Sequence, residues 1–154
     1  MKLSLVPIER SGTPADTGLQ LPDIARQVCT ATASLYESAG FVPPWLGYLA
    51  LSDGQVVGTC GFKSPPVSGE VEIAYFTFPE FEGRGIASAM ARELMALAVA
   101  SDSGITVTAQ TLREAGASTR ILEKLGFRLR GDVVHPEDGE VWEWAYPPRE
   151  AARR

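Results

Sequence analysis

Between Phe78 and Met90 the chain reads FPEFEGRGIASAM, with Gly83 and Gly85 on either side of Arg84. Glycine is favoured where a backbone turns tightly or comes close to something bulky, and this pair falls where an aromatic, β-prone run gives way to a helical pattern. A helix beginning at Gly85 leaves its first N–H groups without intrahelical partners, and its dipole adds partial positive charge there. Strand, glycine turn and helix in that order form a cradle for a phosphate group. Arg84 is placed to add a charge at its edge. The most specific phosphate motifs do not match: there is no GxxxxGK[ST], and no GxGxxG followed by an acid about 20 residues on. A tight turn without a ligand accounts for the two glycines equally well, so the neighbouring elements must decide.

Other chemistry-bearing side chains are sparse. His135 is the only histidine, and its place beside Pro136 in a turn-like stretch reads as surface. Without a second histidine near a serine and an acid, a hydrolase triad has little support. Cys29 and Cys60 stand apart, with no CxxC pair and no histidine nearby, so they suggest neither a metal site nor a disulfide framework and read as buried thiols.

The elements that must position these residues follow from periodicity. LSLVPI (3 to 8) reads as a strand, and LPDIARQVCTATASLYESAG as a helix with Ile24, Val28 and Leu35 near helical spacing and a stop at Gly40. Two short strands joined at SDGQ form a hairpin, and GEVEIAYFTF is a third strand. From Gly85, residues Ile86, Met90, Leu94 and Leu97 recur at helical spacing to about Ala100. ITVTAQT (105 to 111) is a strand, ASTRILEKLGF a helix stopped at Gly126, and FRLRGDVV with EVWEWAY a closing hairpin about HPEDG. The order is β, α, three strands, α, β, α, two strands. The domain spans 1 to 147, and the polar tail 148 to 154 is expected to be disordered.

Composition sets the outer bounds. With 154 residues, 45% hydrophobic and 21% charged, the chain fits one globular domain with its own core. A net charge of −5 and a pI near 4.9 argue against a broad nucleic-acid surface or an anionic membrane as partner. The N-terminal apolar run is too short for a secretory signal, and no segment approaches the roughly 18 apolar residues of a membrane span. A cytoplasmic protein is expected.

Two blocks at the proper separation carry a family resemblance. Glu82-Gly83-Arg84-Gly85-Ile86-Ala87 resembles the acetyl-CoA-binding motif Q/R-x-x-G-x-G/A of the GNAT superfamily of N-acetyltransferases, matching at Gly85 and Ala87 and departing at Glu82. ASTRILEKLGFRLRG resembles the family's fourth helix and the following strand, in the branch similar to ribosomal-protein N-terminal acetyltransferases (RimJ/RimL-like). The resemblance implies an α/β GNAT fold: a mixed, mostly antiparallel sheet with splayed central strands and flanking helices. Acetyl-CoA is the implied cosubstrate, lying in the wedge. Its pantetheine arm would pair with Tyr75, Phe76 and Thr77 like an added strand, and its diphosphate would sit on Gly83, Arg84, Gly85, Ile86, Ala87 and Ser88.

Acetyl transfer needs a free amine, hence removal of a proton from a group whose unperturbed pKa can be near 10. A carboxylate, directly or through water, is a plausible base. Glu72, rather than Glu70, lies inside the hydrophobic run VEIAY, where glutamate is disfavoured, and is the candidate; the plainer reading is a solvent-facing residue of an alternating strand. In the resembled branch a serine near the start of the fourth helix lies by the sulfur, and Ser118 matches it; the plainer reading is a residue capping or occupying the first helical turn. The tyrosine that many members carry in that helix is replaced by Leu122, and an asparagine common in the branch by Ala115. The Glu82 side chain, repelled by a diphosphate, is expected to point away. Trp45 and Tyr48 fit an acceptor wall or the core, and Trp142 and Trp144 share one strand face.

Two functions of different class remain: an N-acetyltransferase acting on a small-molecule amine or a protein N-terminus, and a catalytically silent acyl-CoA-binding sensor or interaction module. Glu72 and Ser118 favour the enzyme. The acceptor is open, and so is a homodimer.

Overall fold

Strand β1 (Leu3–Pro7) leads into helix α1 (Asp23–Ala39), then β2 (Gly47–Ser52), β3 (Gln55–Phe62) and β4 (Glu70–Thr77). Helix α2 (Ile86–Ser101), β5 (Thr106–Thr111), helix α3 (Ala117–Lys124) and the hairpin β6 (Arg128–His135) and β7 (Gly139–Tyr146) complete the order. This computed structural model describes residues 2–147; the expected disorder of 148 to 154 lies outside the described residues. Element order agrees with the sequence reading, with a 3₁₀ turn at Pro79–Phe81 added before the glycines. No helix among the described residues is long and apolar enough to cross a membrane.

The seven strands form one sheet in the order β1-β2-β3-β4-β5-β7-β6. Asp53 and Gly54, both at positive φ (52° and 76°), make the two-residue turn between β2 and β3, whose twist suits a hairpin. β4 and β5 run parallel, and their pairing covers only Glu70↔Thr106 to Glu72↔Thr108, although the strands continue to Thr77 and Thr111. Beyond Glu72, β4 stays paired with β3 while β5 stays with β7. The two central strands therefore part at Glu72 and Thr108, leaving one edge of β4 open. The expected splay is present.

Each face of the sheet has its own core. Val71, Ile73, Met90, Leu94, Val107 and Leu122 pack together where α2 and α3 cover the sheet. Ile8, Ala25, Cys29, Leu49, Leu51 and Phe78 form a second cluster with α1. Because strand side chains alternate, Val71 and Ile73 face the larger core, while Glu70, Glu72, Ala74 and Phe76 face the α1 side.

In helix α1 the expected Ile24 and Val28 pack, partly buried, against the second core, whereas Leu35 does not. Ala25, Cys29 and Tyr36 are its buried residues, and Leu35 is 40% exposed. The Tyr36 hydroxyl donates to Ile8 O (2.8 Å) and accepts from Gly47 N–H (2.9 Å), which fixes the helix with small residues against the sheet. Burial raises the Cys29 and Cys60 thiol pKa values, as expected of inert core thiols. His135 Nδ1 accepts the N–H groups of Glu137 and Asp138 (3.1 Å each) in the β6–β7 turn.

Candidate active site

The glycine turn before α2 is shaped by main chain. Phe78, 3% exposed, anchors the end of β4 by donating its N–H to Val57 O (2.9 Å). Past the 3₁₀ turn, Gly83 and Gly85 both adopt φ of 78°, a conformation that L side chains rarely adopt. A Cβ on either would meet nothing within 4 Å. The glycines are thus required by the turn, and they look onto open space. The first intrahelical bond of α2 runs from Ala89 N–H to Gly85 O (3.1 Å), and no side chain caps the helix. The N–H groups of Ile86, Ala87 and Ser88 are left without helical partners.

Those amides line a cleft of about 410 Å³ whose other walls are Tyr75 to Thr77 of β4 and Ala117, Ser118 and Ile121 of α3. The cleft brings together Tyr75, Phe76, Thr77, Gly83, Gly85, Ile86, Ala87, Ser88 and Ser118. Arg84 stands outside its lining, with the guanidinium carbon 5.5 Å from the Phe81 ring centroid in a cation–π arrangement. Glu82, exposed, is also among the residues that line the cleft.

On α3 the helix start is served by Thr119, whose Oγ1 accepts Gly116 N–H and donates to Gly116 O (both 2.9 Å). Capping is therefore not the task of Ser118, whose exposed hydroxyl has no internal partner among the described residues. Leu122 is fully buried in the core. A phenol is nevertheless present: Tyr75 lines the cleft, with a hydroxyl pushed up to about 12 by burial and no hydrogen-bond partner among the described residues. Sequence reading used only the backbone of Tyr75. The alternation Val71, Ile73, Tyr75 was the available signal that its side chain faces the side of α2 and α3.

Glu72 is the last β4 residue paired with β5, at the apex of the splay and on the opposite face from the cleft. Lys63 Nζ lies 2.8 Å from its Oε2, the two side chains being 43% and 24% exposed. That oxygen is otherwise sealed from solvent and accepts no hydrogen bond of regular geometry, so charge rather than a directed bond holds it. The glutamate is neither on a sheet edge nor a plain solvent-facing residue. Lys63, missed in the sequence, also donates its N–H to Glu72 O (3.0 Å).

Glu70 is engaged elsewhere. Arg130 donates to both its carboxylate oxygens (2.8 and 2.9 Å) and to Glu143 Oε1 (2.9 and 2.7 Å). The hydrogen bond to Glu70, opposed by burial, raises the already high guanidinium pKa further. Trp45 and Tyr48 belong to the core at 8% and 6% exposure, with Trp45 edge-on to Phe62 at 5.0 Å. Trp144 is buried, and its indole N–H donates to Thr111 Oγ1 (3.0 Å).

A second cavity, about 400 Å³, lies on the α1 face beside β3 and β4. It shares Tyr75 and Phe76 with the first cleft.

A sheet that opens between parallel central strands, with a glycine turn and uncapped helix beside the opening, is the arrangement of an acyl-CoA-dependent acetyltransferase fold. The family model of the acetyltransferase (GNAT) domain matches residues 17–128, and the chain belongs to that family. Its fold is similar to that of RimL, a ribosomal L7/L12 alpha-N-protein acetyltransferase in complex with coenzyme A, at 17% identity over 94% of this chain and 93% of that one, TM-score 0.68. It is similar to an acetyl transferase from Salmonella typhimurium that modifies the N-terminal serine of 50S ribosomal subunit protein L7/L12, at 17% identity over 94% of each chain, TM-score 0.64. It is similar also to aminoglycoside acetyltransferase AAC(6')-Ib in complex with coenzyme A, at 17% identity over 99% and 98% of the two chains, TM-score 0.68. No curated protein sequence matches the chain.

Proposed function

We propose that this protein is an N-acetyltransferase that moves an acetyl group from acetyl-CoA to a primary amine within a ternary complex. The observation that carries the reading is the first cleft, where unpartnered amides at the start of α2 adjoin the open edge of β4. The amides of Gly83 to Ser88 suit a diphosphate, and the main chain of Tyr75, Phe76 and Thr77 suits the amide-bearing pantetheine arm. Arg84, stacked on Phe81 beside the cleft, would supply charge at its rim. Structures of similar fold with coenzyme A bound support this cosubstrate.

In the transfer the amine nitrogen forms a bond to the thioester carbonyl carbon, the carbon–sulfur bond breaks, and its electron pair leaves on sulfur. Glu72, directly or through water, takes the proton that the ammonium must lose. Lys63 positions that carboxylate at the splay. The hydroxyl of Ser118 donates to the departing thiolate, whose conjugate acid has an ordinary pKa of about 8.5, so a hydrogen bond goes far toward stabilising it. Orientation of amine and thioester across the opened strands supplies much of the remaining rate.

Sizing in solution tests a homodimer, and the proposal includes a cytoplasmic enzyme with a small amine or a protein N-terminus as its acceptor. Release of free CoA thiol with a panel of amines and N-terminal peptides tests it. Thiol release that depends on the acceptor is expected. Tight acetyl-CoA binding with no release for any acceptor would make the protein a silent acyl-CoA-binding module instead.

A further inference from the structure

We infer that the second cavity is the acceptor site and that it selects an amine bearing a single positive charge on an apolar, arylalkyl-sized body, a proposal resting on the acetyltransferase reading above. The floor of this groove is a row across three strands: Gly47 pairs with Gly61, and Gly61 with Ala74. The fold itself requires both glycines, since a Cβ on Gly47 would meet Thr32 Cγ2 at 2.8 Å and one on Gly61 would meet Leu46 O at 2.7 Å, a close approach of the kind that strand glycines serve. Two large apolar side chains left exposed border the same groove, Leu35 of α1 at 40% and Phe76 of β4 at 46%. Thr59 also lines it, but its hydroxyl is spent on Tyr48 O (3.0 Å). The volume, about 400 Å³, exceeds the roughly 150 Å³ that admits benzene to an apolar cavity.

Position makes this groove an acceptor site. It meets the cofactor cleft at Tyr75 and Phe76, so an amine at that end reaches the opening between β4 and β5 from the face opposite the thioester. Glu72 lies on this face, two residues before Ala74. Charge narrows the class. Lys63 lines the groove, and the adjoining carboxylates are already engaged: Glu72 with Lys63, and Glu70 and Glu143 with Arg130. Each further charge of a polycation would find only carboxylates already paired with Lys63 or Arg130, an arrangement that selects against it. A peptide fares poorly for another reason. The main chain of β2 and β3 in the groove floor is paired on both sides, and the one open edge, that of β4, is taken by the pantetheine arm in this proposal, so the amides of an entering peptide would lose water without compensation.

The experiment compares 2-phenylethylamine with spermidine, kanamycin and a short peptide as acceptors for the full chain, alongside Ala74→Phe, which fills the floor from an exposed position. Expected is a kcat/KM for 2-phenylethylamine at least about tenfold above the others, a scale that pocket discrimination reaches. In Ala74→Phe its KM should rise by a similar factor while the acetyl-CoA Kd stays within about twofold. Preference for spermidine, kanamycin or the peptide would overturn the proposal, as would an unchanged KM in a folded Ala74→Phe protein. Calorimetry of 2-phenylethylamine binding to the CoA complex reads the groove without turnover. Saturable binding lost in Ala74→Phe supports the site, and no binding overturns it. Intact binding without thiol release would overturn only the acetyltransferase reading.

Discussion

The two faces of β4 carry two cavities built by different means. On the α2 side the walls are set by local backbone: a strand edge, a turn with two glycines at φ of 78°, and a helix start with no cap. On the α1 side the walls come from residues distant in sequence, α1 on one side and Gly47, Gly61 and Ala74 brought into one row by pairing between three strands on the other. A main-chain site recognises what every acyl-CoA shares, whereas a side-chain site is free to differ with the acceptor. That division lets one fold keep its donor and change its acceptor.

The largest effect should come where the two cavities face one another across the splay. Glu72→Gln keeps shape but cannot accept the proton, so kcat should fall roughly 10²- to 10⁴-fold, the range for general-base catalysis. Acetyl-CoA affinity, read by calorimetry, should hardly move, because the carboxylate lies on the other face. Near-normal turnover across pH would reduce Glu72 to a structural partner of Lys63.

Next in size is a blow to the donor side alone. Gly85→Val places a branched side chain in the open space before the helix amides, and loss of one or two charge-assisted hydrogen bonds should weaken acetyl-CoA binding on the order of 10²-fold. The positive φ adds a folding penalty of about 1–2 kcal/mol, so circular dichroism must show a folded protein. Unchanged affinity in a folded variant would mean that the diphosphate sits elsewhere.

What the sequence discloses follows the same division. Gly83, Gly85 and Ser118 sit in short motifs whose meaning is local, so the cleft and the element order are readable from one strand, one turn and two helices. The splay is implied by the family resemblance and observed as pairing that stops at Glu72↔Thr108. The groove has no local signature, because Gly61 faces Ala74 only once β3 and β4 are in register. Lys63 escapes for the same reason: its partner is nine positions away along the chain. Leu35 fits the helical spacing of a core residue, yet Tyr36 beside it holds the buried place through its hydroxyl bonds, and Leu35 lines the groove.

A smaller effect separates chemistry from helix capping on α3. Ser118→Ala should lower kcat about tenfold at nearly constant Tm, because Thr119 holds the cap, and the defect should shrink with an acyl donor whose thiol is more acidic. Thr119→Ala should do the reverse, costing about 1 kcal/mol of stability. An unchanged kcat in Ser118→Ala would remove it from the mechanism.

The smallest effect, invisible at neutral pH, probes the junction of the two cavities. Burial pushes the Tyr75 hydroxyl up to about 12, whereas an unfolded tyrosine titrates near 10. Below pH 10 both states hold the proton, and Tyr75 adds nothing to the pH dependence of folding. Between pH 10 and 12 the unfolded chain releases it while the folded chain keeps it, so stability falls as pH rises, by at most about 1.4 kcal/mol per pH unit. Tyr48, also pushed up to about 12 by burial, contributes a parallel fall. Tyr75→Phe should therefore flatten the alkaline decline by about one proton's worth in urea melts between pH 9 and 11.5, and leave stability at pH 7 nearly unchanged. A slope identical to that of the unmodified protein would mean that water reaches the phenol freely, and the two cavities would then join through an open, wet passage rather than across a packed ring.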